Sequence, residues 1–312
     1  MSWVVEKKNG IFLPEINWHL NAKYVFSAFL LLSVFSTSSI AINPNEIRED
    51  TEANLPKEIV WPEREFPDPK KTADGFNTGE RFQFRGQWGI FRKVAEIVIS
   101  TEDPNHSNPS LLEVKTEART TGLIKAVFPL MLKGYTLLDS TEGRIIENRV
   151  TDEGQSNEKE TITRFNFETG KMNHVDELRP EKNQIKDLPY SAPLDYASAI
   201  LQIRGWKLDK GSVYPLFISS NGRFYLIEME AKGTETITTQ FGKIKAFRVE
   251  PVSAYPQSKI FREGGKMAIW VSADDRRIPL RLDVKTSIGT ASMRLEAFTL
   301  NDIPILAQSS SN

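Results

Sequence analysis

The sequence predicts a mainly β protein: a large curved antiparallel sheet or open half β-barrel, with one or two short covering helices. Three observations carry this. Short alternating or β-branched runs follow one another along most of the chain. Glycine-containing turn signals separate them. Helix-period patterning is confined to two short stretches.

The elements follow in order. Arg81–Trp88 places Phe82, Phe84, Gly86 and Trp88 on one face at period two. Val94–Ser100 is β-branched, and Leu111–Thr120 alternates Leu112, Val114 and Thr116 against Glu113, Lys115 and Glu117. Gly122–Leu132 reads as a short helix broken by Pro129. Thr161–Phe167 alternates again, and Thr169-Gly170 marks a hairpin. Leu194–Ile203, preceded by Pro193, carries the apolar stripe Leu194, Ala197, Ile200 and Leu201 of a helix. Asn221-Gly222 joins Val213–Ser219 to Phe224–Ala231, and Phe241-Gly242 marks a further hairpin. The end reads as a meander of Met267–Ser272, Ile278–Lys285 and Thr290–Phe298. About a dozen strands with two short helices imply a sheet that curls or closes.

Composition narrows the function classes. Of 312 residues, 39% are hydrophobic, enough for a core and too few for a multi-span membrane protein. Forty Lys and Arg against 41 Asp and Glu leave no basic excess for a nucleic-acid partner. The chain has no cysteine, which removes disulfides, thiolate catalysis, Cys-based metal sites and N-terminal lipidation.

The N-terminus carries an export signal. Tyr24–Phe35 is a 12-residue apolar run preceded by Lys23. Ser39 and Ala41 form a small-x-small cleavage site, predicting a mature start at Ile42 in the periplasm. A transmembrane helix needs about 20 apolar residues. The alternative is an uncleaved leader anchored in the inner membrane, which would be the only membrane association. The 22 residues before Lys23 make an unusually long lead-in, with Glu6 and Glu15 in it. The chain therefore divides into an export signal (1–41), a proline-containing polar linker or surface arm (42–74), one β-rich domain (75–306) and a disordered tail (307–312).

No catalytic set stands out, and no cofactor is implied. His19 precedes the export segment, while His106 and His174 stand apart and read as solvated surface side chains. No spacing suits a metal site. Neither a G-x-S-x-G elbow nor a phosphate-binding glycine loop occurs. The acidic pairs Asp152/Glu153, Asp176/Glu177 and Asp274/Asp275 are adjacent, so in a strand they point to opposite faces.

The densest local feature is Trp270-Val-Ser-Ala-Asp-Asp-Arg-Arg-Ile-Pro279. Its plain reading is strand, tight turn, strand. Ser272, Asp274 and Asp275 then bond the turn backbone, Arg276 or Arg277 pairs with a carboxylate, and Pro279 sits at an edge or bulge. Its sharper reading is a rim gripping an anionic ligand or partner. The aromatic load raises a similar choice between filling a core and lining a cavity. The ligand-binding candidates on the sharper reading are Trp88, Trp270, Ser272, Asp275 and Arg277.

Four of these segments resemble the bacterial domain of unknown function 3108 family: Gly79-Glu-Arg-Phe-Gln-Phe84; Asp195-Tyr-Ala-Ser198 with Arg204 and Gly211; Gly242-Lys-Ile-Lys-Ala-Phe247; and Trp270 to Pro279. The resemblance spans about Thr78 to Phe298, and the last motif is the most specific. Gly89-Ile-Phe-Arg-Lys93 departs slightly from the usual Gly-Arg or Gly-Lys after the first strand. The resemblance implies an exported cell-envelope protein with a large antiparallel sheet and no assigned activity. Its architecture is similar to the LolA/LolB kind of lipoprotein carrier, an open half-barrel capped by helices. Three functions rank in order: a non-catalytic module binding a lipid-like or hydrophobic ligand, a structural module binding an envelope protein, and a hydrolase of envelope polymers.

Overall fold

Among the described residues, period-two alternation of apolar and polar residues builds sixteen strands, joined in one sheet. The structure, a computed structural model, describes residues 59–67, 75–104, 108–127, 129–154, 158–256, 266–286 and 289–306. The export segment, most of the linker and the tail lie outside these residues. So do His19 and His106.

The first half is a meander: β1 (Glu80–Trp88), β2 (Phe91–Glu102), β3 (Leu111–Thr120), β4 (Met131–Asp139), β5 (Arg144–Asp152), β6 (Lys159–Asn166), β7 (Lys171–Asp176) and β8 (Gln184–Asp187). A short helix, α1 (Gly122–Val127), links β3 to β4. The second half runs through β9 (Pro193–Leu194), helix α2 (Tyr196–Arg204), β10 (Val213–Ser220), β11 (Arg223–Thr239), β12 (Gly242–Tyr255), β13 (Lys266–Ser272), β14 (Pro279–Thr286), β15 (Gly289–Leu300) and β16 (Ile303–Leu306). Strand β1 pairs with β15 and fuses the two halves.

The strand path therefore runs from β8 at one edge to β9 at the other, with β1 and β15 in the middle. A flat sheet of this width would separate its edges by roughly 65 Å. Yet only residues 188–192 connect β8 to β9. Such a link reaches about 20 Å. The sheet must curl until its edges face each other, and it does so around α2.

The sheet stays open, and a side chain rather than a backbone ladder spans the remaining gap. Lys186 Nζ on β8 donates to the Gly222 carbonyl across it (2.8 Å). Asn221 and Gly222, both at positive φ, form the β10–β11 turn. A Cβ on Gly222 would meet the Gln184 side chain at 1.9 Å and the His174 ring at 2.9 Å. Glycine is therefore required there both for the turn and for the fit.

Helix α2 is buried on every side, from Ala197 through Arg204. Its Ile200, Leu201 and Ile203 share one core with Phe82, Phe84, Ile97 and Leu138 of the first half and Phe217, Ile269 and Leu280 of the second. The aromatic load of the inner face fills this core.

Several local readings need correction. The helix begins at Tyr196, because Asp195 caps it and Pro193–Leu194 pair with β10. That pairing is parallel, an exception to the antiparallel pattern, since the chain enters β9 from across the gap. The other helix ends at Val127, and Met131 and Leu132 open β4. His174 is buried rather than solvated. Strand β7 turns Met172, His174 and Asp176 inward together, and Thr163 Oγ1 lies 2.8 Å from His174 Nδ1. This margin of the inner face is polar.

Candidate functional site

Two charged residues break the apolar stripes of the elements that meet at the core. Glu80 shares the inward face of β1 with Phe82 and Phe84, and Arg204 lies one turn beyond Ile200 on α2. They form a buried ion pair, with Arg204 Nη1 and Nη2 at 2.5 and 2.7 Å from the two Glu80 oxygens. The remaining donors of the guanidinium reach the carbonyls of Gly75, Arg276 and Arg277, each at 3.1 Å. All five N–H groups are thus satisfied. Gly75 is glycine because a Cβ would lie 2.4 Å from the Leu201 carbonyl. One arginine ties the end of α2 to β1, the segment entering β1 and the β13–β14 turn.

The opposite end of α2 is tied to the first half. Asp195 Oδ1 accepts from Ser198 N (2.7 Å) as the helix cap. Its Oδ2 accepts from Asn148 Nδ2 (3.1 Å) on β5 and from Thr136 Oγ1 on β4. Helix α2 is a strut with a polar lock at each end.

The β13–β14 turn has the plain construction. Ser272 Oγ accepts from Ile278 N (2.7 Å) and donates to Asp274. Arg276 pairs with Asp274. Burial works against the Asp274 carboxylate, but hydrogen bonds from Ser272 and Arg276 outweigh it and hold the group below its usual range. Arg277, at φ 49°, lays its guanidinium 4.2 Å from the Phe247 ring centre. Asp275 is exposed at the tip. Pro279 sits where the ladder slips between Trp270 and Val271.

The five candidate residues do not converge. Ser272, Asp275 and Arg277 share this turn. Trp270 lies between its cross-strand neighbours Arg248 and Arg281, whose guanidinium carbons are 5.5 and 4.7 Å from its ring. Its indole N–H donates to Glu235. Trp88 stands at the other end of β1, 6.3 Å from the Phe91 ring.

A different aromatic set does converge. Residues 59–67, in the polar linker of the sequence reading, pack onto the second half. The indole of Trp61 meets Tyr190, Phe217, Phe224 and Tyr255 edge-on, with ring centres 5.9, 6.0, 6.5 and 5.5 Å away. Tyr255 donates to the Val60 carbonyl (2.7 Å), Tyr190 donates to that of Pro62, and Arg64 pairs with Glu228 (2.8 Å). Burial pushes the Tyr190 hydroxyl up, so it remains a donor. Trp61 was missed because prolines and charges surround its short run; the one signal was Ile59-Val60-Trp61, three apolar residues in a polar stretch.

A groove of 520 Å³ lies elsewhere, lined by residues including Tyr135, Leu137 and Ile162 with Glu113, Glu147 and Glu160. Glu147 is burdened by burial, but hydrogen bonds from Arg149 and Arg164 outweigh it and keep its carboxyl below the usual range. It is a fixed anion rather than a proton donor. Among the described residues, no group of three or more His, Asp or Glu could hold a metal. No helix among them is long and apolar enough to cross a membrane.

The family model described as Protein of unknown function (DUF3108) matches residues 83–296. No curated protein matches the chain in sequence. Among solved structures, the chain is similar to the β-barrel-like DUF1849 protein from Brucella abortus, at 8% identity and TM-score 0.48. That match covers 72% of this chain and 98% of the other. A protein from Parabacteroides distasonis described as a candidate lipoprotein matches at 15% identity and TM-score 0.30, covering 75% of this chain and 97% of the other. A candidate exported protein with a YmcC-like fold from Bacteroides fragilis matches at 13% and 0.28, covering 75% and 98%.

Proposed function

This chain belongs to the DUF3108 family, and from that premise we propose that it is an exported, non-catalytic binding module whose site is the aromatic cleft beneath Trp61. The ligand is hydrophobic: a lipid, an acyl chain or a similarly apolar molecule. The observation that carries this is the occupant. An indole from a segment preceding the family-matched residues fills a cleft walled by Tyr190, Phe217, Phe224 and Tyr255. The polar ties of the segment are two hydroxyl-to-carbonyl bonds and one surface ion pair, and the rest of its hold is the ring packing of Trp61 and of Phe66, 5.0 Å from the Tyr190 ring. An apolar ligand displacing the indole would meet the same rings.

Export is supported by the apolar run Tyr24–Phe35 and the Ser39-x-Ala41 site. The non-catalytic reading is supported by how the acidic groups are used. Glu80, Asp195, Glu147 and Asp274 each serve a structural partner.

Native mass spectrometry of protein purified from the periplasm, with lipid extraction in parallel, tests the ligand. The expected result is a bound apolar molecule of defined mass that is lost when Phe224→Asp places a charge in the cleft. Ligand-free protein, or the same load in both variants, would count against it.

A second reading is a structural module binding an envelope protein through the arm or an exposed edge. The favouring observation is the filled interior, where α2 and the inner aromatics share one core. Partner capture that persists in a ligand-free protein and fails when the arm is deleted would favour it.

A further inference from the structure

We infer that the end of the sheet carrying Trp88 and Ile90 docks on an anionic lipid surface. The β1–β2 turn, Gly89-Ile90, projects the Ile90 side chain into solvent with 88% of its surface exposed. Phe91 beside it is also exposed, and Trp88 braces it from behind. The tip is not loose, because Gly89 N bonds the Thr290 carbonyl of β15 (3.1 Å).

A second apolar protrusion stands at the same end. Helix α1 follows β3 and is held against the start of β2, where Thr121 N bonds the Val94 carbonyl (3.0 Å) and Thr121 Oγ1 the Lys93 carbonyl (3.3 Å). Its Leu123 is 81% exposed. Single exposed aliphatic residues are ordinary on soluble proteins. Two large ones projecting from one end, with Phe91 next to Ile90, make a membrane-seeking tip when cations surround them.

Cations do surround them. Arg92, Lys93, Arg119 and Lys125 flank the tip and α1. Lys93 and Arg119 share the single carboxylate of Glu96 (Lys93 Nζ at 3.0 Å). Arg92 and Lys125 have no ion-pair partner among the described residues. Farther along the same end, Lys266 at the start of β13 sits directly opposite Lys285 near the end of β14. Like charges placed face to face across a ladder repel, and an anion between them removes that penalty. Apolar side chains entering the acyl boundary, with basic side chains at headgroup level, are the two contributions that hold an interfacial protein. This docking is independent of the cleft beneath Trp61 and differs from anchoring by an uncleaved leader.

The lack of cysteine gives a direct test, since Ile90→Cys in the full chain creates a unique labelling site. With a polarity-sensitive fluorophore at position 90, vesicles of phosphatidylcholine with phosphatidylglycerol should shift emission to the blue. Phosphatidylcholine alone should not, and high salt should reverse the shift. The label reports its own surroundings, so a leader held in the same vesicle does not mimic the signal. Arg92→Glu with Lys125→Glu should raise the vesicle concentration for half-maximal shift about tenfold or more. A label at Ile303→Cys, an exposed residue at the opposite end, should not respond. Water-like emission from position 90 on anionic vesicles overturns the inference, as does an equal shift at 303 or insensitivity to the charge reversals.

Discussion

Arg204 and Glu80 form the most deeply buried ion pair among the described residues. A guanidinium with all five donors used and a carboxylate beneath it are both buried, so each depends on the other. Arg204→Met should cost about 3–5 kcal/mol in urea unfolding, because it strands the Glu80 charge in the core. Arg204→Met with Glu80→Leu should recover much of that loss, since the stranded charge goes too. Glu96 gives a pH signature. Hydrogen bonds from Lys93 and Arg119 hold its carboxyl below the ordinary value of 4.5. A carboxyl lowered on folding adds stability that is complete above the unfolded value and is lost as pH falls through the folded one. Melting temperature followed from about pH 6 to 3 should therefore fall less steeply in Glu96→Gln than in the parent. Glu80 and Arg204 each fall one residue outside the strand (Arg81–Trp88) and the helix (Leu194–Ile203) that patterning predicts, and pairing across 124 positions leaves no local trace. Ser272, Asp274 and Arg276 were legible in their structural role because turn chemistry is local.

At the scale of elements, hairpins and meanders were the readable part. Asn221-Gly222, Thr169-Gly170 and Phe241-Gly242 each sit at a turn between paired strands, because positive φ leaves few residue choices. Strands β4 and β5 were harder. Gly134 interrupts the inner face of the one and Asn148 that of the other, so their alternation is weak. The start of α2 was misjudged because Leu194 fits both the helical stripe and a strand that pairs with β10. The structural role of α2 explains why Asp195 caps it. That side chain serves the helix, Thr136 and Asn148 together, so one truncation removes three contacts. Asp195→Ala should destabilise the protein by about 2 kcal/mol, the sum of a lost cap and two donors left in a partly buried site. Asp195→Asn, which keeps the cap acceptor, should lose less. Equal losses in chemical denaturation would mean that the cap contributes little.

For the whole molecule, the class of fold followed from patterning, while the curl that brings the edges of its open sheet together did not. Period-two alternation is the same whether inward aromatics line a cavity or fill a core. Here they fill it, together with a helix whose apolar stripe alone does not reveal burial on every side. The approach of β8 to β9 depends on topology, which no local pattern encodes. The proposed apolar ligand would enter the aromatic cleft that Trp61 covers. Titration of Trp61→Ala with a fluorescent apolar probe tests that claim most directly, with near-ultraviolet circular dichroism as the check on native packing. The account predicts saturable binding of about one probe per chain, at least several-fold tighter than to the parent and abolished by adding Phe224→Asp. Natively packed Trp61→Ala protein that binds the probe no better than the parent would contradict it.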